Sequence, residues 1–130
     1  SPVEYPMISD SDHAVSKLYG MLPSDASGDP TARTPAQNAT LRNVFVIGPD
    51  KVIKLVLVYP ASTGRNFDEI LRVIDSLQLT ANHKVATPSD WKQGEDVIIS
   101  PALSDDEATA AFPAGFEAKK PYLRVTKQPS

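Results

Sequence analysis

The side chains able to do chemistry are few and scattered. The sequence holds no cysteine, which removes disulfides, zinc–thiolate centres, iron–sulfur clusters and thiol nucleophiles together. Met7 and Met21 carry the only sulfur, and a thioether does not replace a thiolate as a nucleophile. His13 and His83 are the two histidines. They lie far apart, and neither has a second histidine or a cysteine at ligand spacing, so both read as surface residues rather than metal ligands. The run Asp105-Asp106-Glu107 is explained by the start of a helix, whose dipole favours negative charge there. The sequence also holds five arginines, Arg33, Arg42, Arg65, Arg72 and Arg124. Arg42 stands at the start of an apolar run and Arg65 lies between Gly64 and Asn66. A guanidinium is a planar fork that grips an oxyanion or a carboxylate through two bonds. On residue type alone, Arg42 could equally meet solvent or a surface carboxylate, and Arg65 could pair with Asp68 or Glu69.

Positioning these groups falls to a small set of elements. The runs Asn43 to Ile47 and Val52 to Tyr59 are rich in β-branched and aromatic residues and flank Gly48-Pro49-Asp50-Lys51, which predicts a hairpin. Both runs are nearly continuously apolar, so strands covered on both faces by flanking helices are expected, as in α/β proteins. One helix opens at Asn66, with Glu69 placed as a capping-box partner. Its apolar stripe is Phe67, Ile70, Leu71, Ile74 and Leu77, expected to pack on the sheet. Val3 to Ile8 predicts a short strand. Asp10 or Ser11 then caps a short helix carrying Val15, Leu18 and Leu22, ended by Gly20. Pro23 to Thr40, with three prolines and many small polar residues, predicts a long surface loop. After Thr80 come short pieces: Trp91 in a loop, a strand near Asp96 to Ser100, a helix capped by Ser104 with Glu107, and a strand near Tyr122 to Thr126. They look too few to build a core of their own, which predicts an extension packed on the first part or on a partner chain.

Length and charge bound the rest. A chain of 130 residues sets one compact unit as the default. Thirteen basic against sixteen acidic residues, net −3, with no long basic run, argue against nucleic-acid partners and against an electrostatic membrane surface. The longest apolar run, Val52 to Tyr59, contains Lys54 and is far short of the roughly 20 residues of a spanning helix. Ser1-Pro2-Val3-Glu4-Tyr5 has neither a basic nor an apolar leader region, which makes a cytoplasmic location the expectation. No cofactor is called for.

The segment Tyr59-Pro60-Ala61-Ser62-Thr63-Gly64-Arg65-Asn66-Phe67-Asp68-Glu69-Ile70-Leu71-Arg72 resembles the signature of the one-cysteine peroxiredoxins, thiol peroxidases with a long C-terminal domain. Leu41 to Asp50 resembles the arginine-bearing strand and hairpin of that family, while Val85 to Lys92 and Pro121 to Thr126 resemble its C-terminal extension. The resemblance covers essentially the whole chain apart from the Pro23 to Thr40 loop. It implies a partial thioredoxin-like α/β fold with a mixed central sheet and flanking helices. Residues 1–80 would be the C-terminal part of the thioredoxin-like domain and residues 81–130 the extension.

The same resemblance implies roles. Arg42 matches the arginine that in the family lies beside the peroxidatic sulfur, where it favours the thiolate and bonds the peroxide oxygens. Arg65 matches a second arginine that orients the active-site region. An aspartate matching Asp50 is credited with phospholipase activity in some mammalian members, with serine and histidine partners in a part of the family's chain that this sequence does not contain. The Pro, Thr and cysteine motif lies there too. This chain is therefore expected to be the C-terminal portion of a peroxidase that reduces hydrogen peroxide and organic hydroperoxides with an external thiol, and to be inactive alone. A homodimer is expected through the strand from Lys54 to Tyr59 and through the extension. The alternative is a free-standing, non-catalytic module that pairs with an intact peroxiredoxin.

Overall fold

The computed structural model describes residues 2–23, 26, 29, 32–37 and 39–130; part of the expected loop from Pro23 to Thr40 lies outside the described residues. Where the length leads one to expect one compact unit, the chain divides into two, Ser1–Arg65 and Asn66–Ser130.

In the first unit the β-branched runs form β1 (Arg42–Ile47) and β2 (Ile53–Tyr59), paired antiparallel with Arg42 opposite Tyr59 and Phe45 opposite Val56. The turn between them is built by its residues. Lys51 donates its amide to the Gly48 carbonyl at 2.9 Å with its own φ at 61°, and the Asp50 carboxylate accepts from the Val52 amide at 3.2 Å and from Lys54 Nζ at 2.6 Å. A Cβ at Gly48 would stand 2.6 Å from Asp50 Oδ1 and 2.7 Å from Lys54 Cε, so a larger residue there would make those two side chains shift. The expected cover on both faces is not found. Along β2 the side chains alternate, Leu55 and Leu57 half-buried, Val56 and Val58 exposed.

Helix α1 (Ala14–Leu18) is one short helix as expected, but its apolar side is not an inward stripe: Leu18 is 81% exposed, and only Leu22, beyond the helix, is buried. Asp10 ties its first turn, accepting from the amides of Val15 and Ser16 and from the Ser16 hydroxyl at 2.6 Å. His13, at φ 56°, occupies the N-cap position without a side-chain bond. Gly20, at φ +62°, follows the helix end, in a conformation that suits glycine. Residues 3–8 are not a strand. Pro6 lacks an amide donor, and the segment pairs with no strand among the described residues.

The second unit opens with α2 (Phe67–Asn82), continues through β3 (Val85–Ala86), β4 (Val97–Ile99), α3 (Asp105–Ala111) and β5 (Glu117–Lys120), and ends with β6 (Leu123–Thr126). Its four strands form one antiparallel sheet in the order β3-β4-β6-β5. Contrary to the expectation from the sequence, these pieces do build a core. Val85, Trp91, Val97, Ile99, Leu103, Ala108 and Phe112 form one buried cluster, with Leu79 of α2 and Phe116 packed against it. The reason is that Trp91, 1% exposed, folds inward from its loop and occupies the centre. Its indole N–H donates to the Glu95 carbonyl at 3.2 Å, so burial leaves no polar atom of the ring unmatched. The apolar stripe of α2 is buried only in part, with Phe67 and Leu71 exposed.

Buried polar groups in this unit are satisfied. Arg124, 5% exposed, donates to Asp105 Oδ1 at 2.9 Å and to the carbonyls of Ser100 (3.0 Å) and Leu103 (2.6 Å), with its guanidinium 5.9 Å from the centre of the Phe116 ring. It thereby fastens β6 to the turn that leads into α3. Ser104 and Glu107 make the full capping box there.

Candidate functional site

The two arginines to which the family resemblance points, Arg42 and Arg65, both belong to the first unit and to the same end of its hairpin. Arg42 begins β1, and β2 ends opposite it at Tyr59. The chain then runs through Pro60-Ala61-Ser62-Thr63-Gly64 to Arg65. The Arg42 side chain is exposed but anchored: Nε donates to the carbonyl of Ala61 at 2.6 Å. This bond uses the edge of the guanidinium that faces the returning loop, which fixes its direction while the terminal nitrogens stay able to bind a second group. Thr63 donates its amide to the Pro60 carbonyl at 2.9 Å, so the loop itself is a closed turn. Arg65 is exposed at its end.

By strand alternation Arg42 shares a face with Val44 and Val46 and, across the pair, with Leu55, Leu57 and Tyr59. Asn43, Phe45, Val56 and Val58 occupy the other face. There Phe45 meets Tyr19 edge-on, ring centres 4.9 Å apart. Asn43 is 9% exposed, and its Oδ1 is buried with no hydrogen-bond partner.

Asp50 is fully engaged in its turn. The Lys54 ammonium, then the Val52 amide, hold its carboxyl below the ordinary carboxylate range, which suits a permanent turn staple and not a base that must take up a proton near neutral pH. At the start of α2, Asn66 accepts from the Glu69 amide at 3.2 Å, but the reciprocal half of the expected capping box is missing. Glu69 turns instead to Arg72, with contacts of 2.6 and 2.9 Å; these bonds keep its carboxyl low, and Arg72 reaches on to the Trp91 carbonyl at 3.5 Å. His83 ends α2. A cavity of about 550 Å³ lies between that end and α3, lined by His83, Lys84, Leu103, Glu107 and Phe112 among others, and neither Arg42 nor Arg65 borders it. Among the described residues no group of three potential metal ligands comes together, and no helix is long and apolar enough to cross a membrane.

Sequence reasoning missed two residues of consequence. Arg124 carried no signal beyond its type, because its partners lie about twenty residues upstream. Asn43 did carry one: a polar amide at the head of the apolar run Val44-Phe45-Val46-Ile47.

Comparison with known proteins gives this geometry a family. Residues 76–115 match the C-terminal domain of 1-Cys peroxiredoxin, a boundary that falls inside α2, and residues 1–56 match the AhpC/TSA family. A 1-Cys peroxiredoxin of Dictyostelium discoideum is 48% identical over 98% of this chain and 49% of its own length. Peroxiredoxin-6 of Rattus norvegicus is 50% identical over 96% of this chain and 56% of its own. Among solved structures, a mutant of the Peroxiredoxin 6 of Arenicola marina matches with a TM-score of 0.80 at 48% identity, over 98% of this chain and 57% of that one. A yeast mitochondrial 1-Cys peroxiredoxin, whose thiol is described as resolved via glutathione/thioredoxin systems, matches at 0.78 and 46%, over 96% and 57%. The fold is thus a partial thioredoxin-like α/β fold. The chain belongs to the one-cysteine peroxiredoxins and spans about half the length of the curated relatives it matches.

Proposed function

We propose that this chain is the C-terminal portion of a thiol-dependent peroxidase and that it supplies Arg42 and Arg65 to an active site whose cysteine lies outside these 130 residues. Residues 1–80 complete the thioredoxin-like domain and residues 81–130 form the covering extension. In the reaction a cysteine thiolate attacks one peroxide oxygen and the O–O bond breaks. The sulfur is oxidised to a sulfenic acid, and hydroxide or alkoxide leaves, taking a proton to become water or alcohol. An external thiol then reduces the sulfenic acid. A guanidinium held in a fixed direction favours the thiolate before attack and bonds the oxygen on which negative charge develops. The observation that carries the reading is the Arg42 Nε bond to the Ala61 carbonyl, which aims that arginine from the loop leading to Arg65. A peroxide substrate and a thiol reductant follow from the family, and the yeast relative's glutathione/thioredoxin systems support the second. A homodimer through the strand from Lys54 to Tyr59 and through the extension is part of the proposal, supported by β2 having β1 as its one strand neighbour among the described residues and by exposed Val58 beside that open edge. A cytoplasmic location completes it.

The test is the intact denatured mass of the protein captured from its source cells with an antibody to the region around Arg65, together with its thiol-dependent peroxide consumption. A mass well above 14.0 kDa, with turnover that Arg42→Met lowers by about a hundredfold and with its pH profile moved upward, is expected. A mass of 14.0 kDa with no turnover would overturn the proposal and leave the non-catalytic partner module as the reading.

A further inference from the structure

We infer that Arg72 is a positioning residue for the proposed active site: it holds the Glu69 carboxylate away from Arg65, so that the Arg65 guanidinium keeps its charge for the reacting centre. This role rests on the peroxidase reading and deepens it. The cap of α2 is only half made. Asn66 accepts from the Glu69 amide at 3.2 Å, and the ordinary use of a glutamate at this place is the return bond, its carboxylate accepting from the cap residue's own amide. Here both carboxylate oxygens turn the other way, toward Nε (2.6 Å) and Nη2 (2.9 Å) of Arg72. Two parallel bonds to a guanidinium fork outmatch one bond to a neutral amide.

Arg72 is itself held. Its remaining terminal nitrogen, Nη1, reaches the Trp91 carbonyl at 3.5 Å, and Trp91 is anchored in the core. The Asp90 carboxylate lies near enough to act on the same guanidinium through its charge. What this clamp prevents follows from spacing. Arg65 immediately precedes the Asn66 cap, and Glu69 stands in the first turn after it. A carboxylate at that place bends back over the residues before the helix unless something else takes it, and with its carboxyl held low by Arg72, Glu69 is ionised at neutral pH. Released, it would lie within reach of Arg65. A negative charge there weakens the pull of that guanidinium on a thiolate and on the peroxide oxygen that gains charge.

The test uses the cysteine-bearing polypeptide of the proposed function, with hydrogen peroxide as substrate and an external thiol as reductant, each half-reaction followed separately. Arg72→Met is expected to slow oxidation of the cysteine by peroxide about tenfold and to leave the thiol step unchanged. Adding Glu69→Gln, which keeps the shape and removes the charge, is expected to restore most of the lost rate. Poorer packing around Trp91 would not be repaired by removing a carboxylate, so that restoration separates positioning from structure. Arg72→Gln, which keeps a donor for the Trp91 carbonyl, carries the same comparison where the Met variant does not fold. An unchanged rate in Arg72→Met overturns the inference, and so does a slowed rate that Glu69→Gln fails to restore. Turnover that Arg42→Met lowers and Arg72→Met does not leaves the peroxidase reading standing and removes this role alone. A parent polypeptide that consumes no peroxide sinks both together.

Discussion

The hairpin and the C-terminal sheet are made of similar material. The hairpin is the more apolar, with Val44, Phe45, Val46 and Ile47 facing Leu57, Val56, Leu55 and Ile53, yet it is the C-terminal unit that has an interior. The difference lies in layers. A sheet buries a face only against something laid on it, and Val85 of β3 and Val97 and Ile99 of β4 receive Trp91, Leu103, Ala108, Phe112 and Leu79 of α2. In its own unit the hairpin receives Tyr19 on Phe45 from the end of a five-residue helix. Apolar content therefore measures what a segment is able to bury, whereas the supply of a second layer decides whether it does.

Three substitutions break or sharpen that contrast. Trp91→Ala removes the centre of the only continuous core among the described residues and should destabilise the C-terminal unit by about 4 kcal/mol. A thermal melt followed by circular dichroism would then lose its main transition, and an unchanged melt would mean that the cluster around Trp91 does not hold the unit together. Asn43→Val should act in the opposite direction and in the other unit. It removes a buried acceptor that has no donor and replaces it with a good strand former, stabilising the hairpin by about 1–2 kcal/mol. Slower amide exchange in β1 and β2 is the expected readout; faster exchange would show that the amide does have a partner.

The smallest effect is that of Ser104→Ala, about 1 kcal/mol of lost capping, confined to the C-terminal unit. Its pH dependence is specific. Bonds from the Ser104 amide and hydroxyl, then the charge of Lys84, hold the Glu107 carboxyl below its ordinary value of 4.5. A carboxyl lowered by folding contributes stability above that ordinary value and loses it as the pH falls through the lowered one. The gap between the Ser104→Ala variant and the parent, measured by urea melts, should therefore be full at pH 7 and narrow on acidification below 4.5. A gap that widens toward acid would contradict the box.

Local signals were legible wherever the partner lay within a few residues. The hairpin and its turn, the Asn66 and Ser104 caps and the end of α1 at Gly20 depend on neighbours in sequence, and the structure contains them. The capping role expected of Glu69 failed for an equally local reason, because Arg72, three residues on, takes its carboxylate. What could not be read was long-range. In Leu123-Arg124-Val125-Thr126 the pattern points Leu123 and Val125 inward, yet Arg124 and Thr126 are the buried pair. Their burial depends on carbonyls at Ser100, Leu103 and Gly115 that no window around β6 contains. The core was underestimated on the same account, since its members come from two strands, a turn, a helix and a loop tryptophan. At the candidate site, the resemblance supplied the importance of Arg42 and Arg65, and the structure added how the first of them is held.

The hydrogen bond from the Leu41 amide to the Met21 carbonyl, 2.6 Å long, joins the two flanks of the Pro23 to Thr40 segment. A clasp of this kind separates what happens to the chain on one side of it from the strand that begins on the other. Closing a longer loop costs little, about 0.6 kcal/mol for each doubling of length, so insertions and deletions between the clasped residues should leave the register of β1, and with it the position of Arg42, where it is. Lineages are thus free to let this segment drift in length, and an engineer looking for a place to insert a tag or a reporter domain would begin there.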